Sequence, residues 1–220
     1  MKIGIITYNK NHHKTMKVLE NLIKKNFDLQ IFLLPFKKRK KRKVFFNHRP
    51  DQFKSTNPLN FAIKHGLKYS KISYNTKDLD KLDYYLICGA ALLNKDFIKK
   101  NKIINCHSGI LPYARGLDAF KWSLLKKIKI GVSLHIINEK TDSGFLLKSR
   151  ETLFKHKDSL NNVAKKHYKN EIDLLSNFEK FIKNKKKILS NKYIPTKRMP
   201  FEIEKDLFKY FKSYKKKFKH

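Results

Sequence analysis

The sequence predicts an α/β chain built on a mostly parallel sheet with helices on both faces. Two observations carry this. The chain opens with an apolar run, a helical repeat and a second apolar run, the β-α-β unit of parallel sheets. Further short apolar runs, Asp83 to Cys88, Ile103/Ile104 and Gly131 to Ile137, read as more buried strands, one of them ending in a Gly- and Pro-punctuated loop.

Taken in order, Lys2 to Thr7 is the first strand. The loop Tyr8 to His13 leads into a helix with Met16, Leu19, Leu22 and Ile23 on one face. The second strand, Leu29 to Leu34, stops at Pro35. The loop Phe36 to Pro50 is a dense basic run with an aromatic pair. Loops after parallel strands open at the ligand edge, so Arg39, Arg42, His48 and Arg49 are placed either to meet a diphosphate or to lie on a solvated loop. Asn57 to His65 suits a short helix stopped by Gly66, and Asn94 to Lys100 another. Asp118 is expected to cap the helix that carries Phe120, Trp122, Leu124 and Leu125. Phe145 to Leu147 reads as a further strand. Asp158/Ser159 start a helix with Leu160, Val163, Ala164, His167 and Tyr168 on one side, continuing through Ile172, Leu175, Phe178 and Ile182. The expected organisation is a core over 1–152, a C-terminal helix packing on it over 153–190, and a basic aromatic tail over 191–220 that packs its rings on the core or meets a polyanion.

A chain of 220 residues that is 40% hydrophobic can bury a substantial core. Its net charge of +34 makes nucleic acid the first partner to weigh. Only Arg39, Arg42, Arg49, Arg115, Arg150 and Arg198 among the 52 basic residues are arginine, the better bidentate phosphate reader, and the lysine excess accompanies abundant Asn, Ile, Phe and Tyr. A solvated lysine surface set by A/T-rich codons explains this, with nucleic acid kept as a secondary possibility. Cys88 and Cys106 provide neither a disulfide framework nor a zinc set. No run reaches the length of a membrane span, so a cytoplasmic chain with no membrane partner is expected. A homodimer is left open. The first loop has no G-x-G-x-x-G and no G-x-x-x-x-G-K-[ST], so neither a dinucleotide nor a P-loop triphosphate is indicated.

The stretch Lys102 to Leu147 carries most of the chemistry. Its apolar run ends on Asn105, Cys106 and His107, and Gly109, Pro112 and Gly116 punctuate the loop beyond. Residues two apart on a strand share a face, so Asn105 and His107 point into one cleft while Cys106 points away, which argues against a Cys-His nucleophilic pair. The strand Gly131 to Ile137 leads into a polar turn, Asn138 to Gly144, that contains Asp142. If the two strands are neighbours, their C-terminal ends bring an amide, an imidazole and a carboxylate together, where open α/β sheets place their ligands.

Asn105 and His107, the Leu111-Pro112 loop ending in Gly116, and Asp142 in a D-x-G turn with Gly144 resemble the signature of the formyltransferases that use 10-formyltetrahydrofolate. The resemblance is strong over residues 80–150 and looser before them. It implies the Rossmann-like formyltransferase fold, and transfer of a formyl group from N10 of the folate to an amine by Asn105, His107 and Asp142. Amine attack creates an oxyanion that needs positioned donors, and the incoming nitrogen must lose a proton. Asn105 can donate an amide N–H, His107 can donate to the oxyanion or shuttle the proton, and Asp142 can orient and charge the imidazole. The resemblance places Ala91, Leu92, Leu93, Thr141 and Gly144 against the folate. It places Tyr8, Arg39, Arg49, Ser108, Gly109, Ile110, Arg115 and Gly116 towards the acceptor. The loop departs from the commoner form in carrying Ser108 where Pro is usual and Gly109 where Ser is usual.

Members that formylate nucleotide-linked amino sugars share the R-G-L-D-type loop and lack a glycine-rich phosphate loop, as here. The expected reaction is therefore N-formylation of a small primary amine on a nucleotide sugar, without a metal. The alternatives are formylation of methionyl-tRNA, whose relatives carry a sizeable C-terminal domain that leaves little room here, and of glycinamide ribonucleotide, whose glycines are missing from Tyr8 to His13. From another class, the chain could be a basic RNA-binding module on an inactive enzyme fold.

Overall fold

Apolar runs returned to one layer by helices become parallel strands, and the first half of the chain follows that rule. The computed structural model describes residues 1–36, 42–189 and 192–218. The strands are β1 (Lys2–Tyr8), β2 (Asp28–Leu34), β3 (Lys68–Lys71), β4 (Tyr84–Ile87), β5 (Ile103–His107), β6 (Gly131–Ile136), β7 (Phe145–Glu151) and β8 (Lys186–Lys187). They form one sheet in the order β3-β2-β1-β4-β5-β6-β7-β8. Pairing is parallel from β3 to β5 and antiparallel from β5 to β8. β3, K-Y-S-K, escapes sequence reading because this edge strand has no fully buried side chain and joins the sheet through its backbone.

The helices are α1 (His13–Ile23), α2 (Pro58–Lys64), α3 (Lys95–Lys100), α4 (Ala119–Lys126), α5 (Leu160–Ser176), α6 (Phe201–Glu204) and α7 (Leu207–Lys217). Three start on side-chain caps: Asn57 accepts from Leu59 N, Asn94 from Asp96 N and Ser159 from Asn162 N. On one face of the sheet, Ile3, Ile5, Ile104, Cys106 and Leu134 pack with Leu19 and Leu22 of α1 and Leu175 of α5. Ile6, Phe32 and Ile103 belong to the other face, with Phe97 of α3. A separate cluster joins Phe120 and Leu124 of α4, Leu160 of α5 and Phe211 and Tyr214 of α7, so aromatic residues of the 191–220 segment are core residues. Tyr214 Oη also accepts a hydrogen bond from Ile130 N at 2.9 Å, just before β6.

Three expectations are corrected. β6 runs antiparallel to β5, so the C-terminal ends of these neighbours lie at opposite ends of the pair; apolar periodicity carries no direction. Asp118 has left-handed backbone (φ 54°) and no capping bond; its Oδ2 instead accepts from Met199 N at 3.1 Å and from Arg42 at 3.3 Å. The helix expected through Ile182 ends at Ser176, although Phe178 stays buried.

A buried ion cluster fastens the periphery to this sheet. Glu171 on α5, 1% exposed, accepts from Lys14 Nζ of α1 at 2.8 Å and from Arg49 Nε and Nη2 at 3.0 and 3.1 Å. Burial pushes the Glu171 carboxyl up, but the charges of Arg49 and Lys14 outweigh it and hold the group well below the usual carboxylate range. Arg49, expected at a substrate phosphate, is therefore engaged in this cluster. Glu171→Gln leaves two cations without their carboxylate and should cost about 3–5 kcal/mol in urea unfolding, while replacing all three together, Lys14→Met, Arg49→Met and Glu171→Leu, should recover most of it. An unchanged midpoint for Glu171→Gln would remove the cluster from the account.

Candidate active site

Cross-strand partners on an antiparallel pair share a face. Asn105 pairs with His135 and His107 with Ser133, so these polar residues line one face, while Ile104, Cys106, Val132 and Leu134 fill the core behind them. Because β6 ends beside the start of β5, Asp142 can meet His107 only if the turn 137–144 doubles back along that polar face. It does so through left-handed backbone at Asp142 (φ 43°) and Gly144 (φ 106°). A Cβ on Gly144 would lie 2.1 Å from Ile136 O.

The Asp142 carboxylate then bridges two segments. Its Oδ1 is 3.2 Å from His107 Nδ1, and its Oδ2 accepts from Gly116 N at 2.7 Å. Gly116 also has positive φ (90°), and a Cβ there would sit 2.3 Å from Thr196 O. His107 is 8% exposed and its Nε2 lies 2.8 Å from Ala114 O, so both ring nitrogens face oxygen acceptors. Cys106 is buried on the opposite face of β5, with its thiol pushed up to about 12 by burial.

His135, absent from the sequence-derived candidates, belongs to the site. Its Nδ1 lies 3.0 Å from Ser143 O, which can only accept, so Nδ1 carries the proton and Nε2 is left to accept from Asn105 Nδ2 at 3.4 Å. Burial lowers the pKa of His135 to about 4 and keeps the ring neutral. The amide of Asn105 is thereby oriented, with a second N–H directed elsewhere. The alternation Val132-Ser133-Leu134-His135 carried the signal, since Ser133 and His135 sit opposite two core residues.

The remaining predicted residues divide. Arg115 is 6% exposed and donates inward: Nη1 to Tyr193 O at 2.6 Å, Nε to Asp142 O at 3.2 Å and Nη2 to Thr141 O. It holds the turn at 141–142 in place, which corrects its expected contact with substrate. Ser108, also expected on substrate, turns inward, its Oγ 2.7 Å from His167 Nε2. Gly109 lies under the imidazole, where a Cβ would come within 2.9 Å of His107 Nε2. Ile110 is half-buried, within reach of Gly131. Tyr8 ends β1 with its ring edge-on to Phe36 and His12. Arg39 lies outside the described residues. Thr141 is exposed, with its carbonyl on Arg115, and the Gly144 carbonyl accepts from Ile188 N at 2.9 Å, so the backbone of both shapes the turn. Ala91 and Leu92 are exposed, Leu92 at 83%, while Leu93 is half-buried against the cluster of Ile6, Phe97 and Ile103. Among the described residues no group of three or more His, Cys, Asp or Glu could hold a metal, and no helix is long and apolar enough to cross a membrane.

Residues 73–178 match the family described as formyl transferase. Formyltetrahydrofolate deformylase 2 of Arabidopsis thaliana is 27% identical over 136 residues, 56% of this chain and 41% of that protein. The methionyl-tRNA formyltransferase of Sulfurimonas denitrificans is 30% identical over 102 residues, 42% of this chain and 33% of that protein. The chain thus spans less than half the length of these curated relatives. Among solved structures, the N-formyltransferase of Helicobacter canadensis in complex with folinic acid and dTDP-3-aminofucose superposes with a TM-score of 0.63 at 17% identity, over 97% of this chain and 82% of that one. A sugar N-formyltransferase from a Shewanella species gives 0.60 at 18%, over 96% and 87%. The phosphoribosylglycinamide formyltransferase of Campylobacter jejuni gives 0.60 at 24%, over 82% and 97%. These structures share the fold of this chain.

Burial also lowers the pKa of His167, and of His12 beside α1, to about 3, from an ordinary value of 6.5. Groups neutral in the fold that take a proton on unfolding stabilise above pH 6.5, and that stability is lost as pH falls towards the folded values. Urea unfolding should therefore show a loss of up to about 2 kcal/mol per ring between pH 7 and pH 5, reduced in His167→Asn. Equal stabilities at the two pH values would contradict the neutral buried rings.

Proposed function

We propose, from the premise that residues 73–178 belong to the formyl transferase family, that the chain moves the formyl group of 10-formyltetrahydrofolate to a primary amine, and that this amine sits on a nucleotide-linked amino sugar. The observation that carries the reading is the meeting of Asn105, His107 and Asp142 on one polar face at the end of β5, with Asp142 in contact with His107.

The folate is assigned to the loop 89–93, where small Ala90 and Ala91 and exposed Leu92 leave backbone groups open to a flat, polar-edged heterocycle. When bound there, 10-formyltetrahydrofolate supplies the formyl carbon. Asn105, its amide oriented by His135, turns its other N–H to the formyl oxygen as that oxygen gains charge. The His107–Asp142 couple balances the protons. As the acceptor nitrogen bonds to the formyl carbon and the carbon–N10 bond breaks, the one proton that this nitrogen loses passes by way of the Asp142 carboxylate, which His107 holds in place, to N10.

The nature of the acceptor draws on further support. Sugar N-formyltransferases of known structure share the fold over nearly the whole chain. The N–H of His13, at the start of α1, is taken by Gln52 O at 2.8 Å, and Gln52 lies across that helix end, which disfavours a glycinamide ribonucleotide phosphate there. A second reading follows from the deformylase relatives: water in place of the amine would release formate from the same site.

The test follows tetrahydrofolate release with 10-formyltetrahydrofolate and a panel of nucleotide amino sugars, glycinamide ribonucleotide, methionyl-tRNA or no acceptor. Release should require a nucleotide amino sugar. His107→Ala and Asp142→Asn should each lower kcat/KM by on the order of 10² or more while circular dichroism stays native. Wild-type rates in both variants would refute the assigned roles, and acceptor-independent formate release would select the deformylase reading.

A further inference from the structure

We propose that the segment 192–198, K-Y-I-P-T-K-R, is the seat of the acceptor's nucleoside diphosphate, an inference that rests on the formyl-transfer reading above. The segment is fixed along the loop that follows β5. Thr196 N donates to Arg115 O at 2.9 Å, Leu117 N to Thr196 O at 2.8 Å, and Thr196 Oγ1 to Arg115 O at 2.8 Å and Leu117 O at 3.0 Å. Trp122 Nε1 donates to Lys197 O at 2.8 Å. The backbone is thus held before any ligand arrives, which lowers the ordering cost of binding.

The segment also lies beside the reacting groups. One guanidinium, that of Arg115, reaches Tyr193 O with Nη1 and Asp142 O with Nε, so Tyr193 and the catalytic turn are separated by the width of a single side-chain head. What the segment shows to solvent is aromatic and apolar. Tyr113, 53% exposed, and half-buried Tyr193 meet edge-on with ring centroids 5.2 Å apart. Ile194 is 89% and Leu117 49% exposed. On a surface dominated by lysine, a local group of exposed rings and aliphatic side chains marks a binding site. Every nucleobase offers a face for stacking on tyrosine, and the exposed lysines at 192 and 197 flank the rings where a diphosphate would need cations. A ligand that joins a flat ring to a doubly charged linker matches that layout. A second copy of this chain matches it poorly, because a net charge of +34 opposes self-association.

Tyr193→Ala keeps the carbonyl that Arg115 holds, and Lys197→Gln is a second variant that leaves the packing intact. Thymidine and uridine diphosphate, titrated calorimetrically without folate, should bind the wild type and lose affinity on the order of ten-fold in Tyr193→Ala. KM for the nucleotide amino sugar should rise by a similar factor with kcat within about two-fold, and Lys197→Gln should weaken binding in a salt-dependent way. The seat is overturned if the wild type binds neither diphosphate. It is equally overturned if Tyr193→Ala binds them as tightly as the wild type, or if that variant only dissociates a dimer in sedimentation. The two readings fail separately. Formylation of nucleotide sugars with an unchanged KM in Tyr193→Ala removes the seat alone, whereas diphosphate binding through Tyr193 with no formylated product removes the formyl-transfer reading alone.

Discussion

One carboxylate holds this site together. Asp142 uses one oxygen on the imidazole of β5 and the other on the backbone of Gly116, so a strand, the loop beyond it and a distant turn share a single anchor. The contact exists only because the 137–144 turn folds back over the polar face of an antiparallel pair, and that path needs left-handed backbone at Asp142 and a glycine at 144. Arg115 then fixes the turn from behind through carbonyls at 141, 142 and 193. Positioning groups of this kind let a catalytic constellation hold its geometry without substrate.

The same logic governs the periphery of a very basic chain. Two buried lysines, Lys14 and Lys121, each find a buried glutamate, Glu171 or Glu204. Glu171 thereby ties α1, α5 and Arg49 of the basic loop together, and Glu204 ties α4 to α6 and accepts from Phe46 N at 3.2 Å. Carboxylates are scarce here, 18 against 52 basic residues, and the two most deeply buried ones hold together helices packed around the sheet. Most of the remaining charge lies on solvated lysines that act on solubility and on encounters with anions.

Much of this was legible in the sequence, and the misses have physical causes. Strands β1, β2, β4, β5 and β6 and helices α1 to α3 announce themselves through apolar runs, helical periodicity and Asn caps. Asn105 and His107 could be put on one face from spacing alone. Strand direction could not, because apolar periodicity is the same whichever way a strand runs, so the expected juxtaposition of C-terminal ends gave way to a returning turn. Residue type also says which hydrogen bonds a side chain can make without saying with whom. Ser108, Arg115 and Arg49, read as ligand contacts, instead bond His167, the Tyr193 carbonyl and Glu171, partners far along the chain. His135 was readable by alternation, yet its role follows only from the strand opposite it.

The destination of the formyl carbon decides the reaction. With 10-formyltetrahydrofolate labelled by carbon-13 in the formyl group and a nucleotide amino sugar present, mass spectrometry and carbon NMR should find the label as an amide on the sugar nitrogen. Label recovered only as formate, or left on the folate, would contradict it.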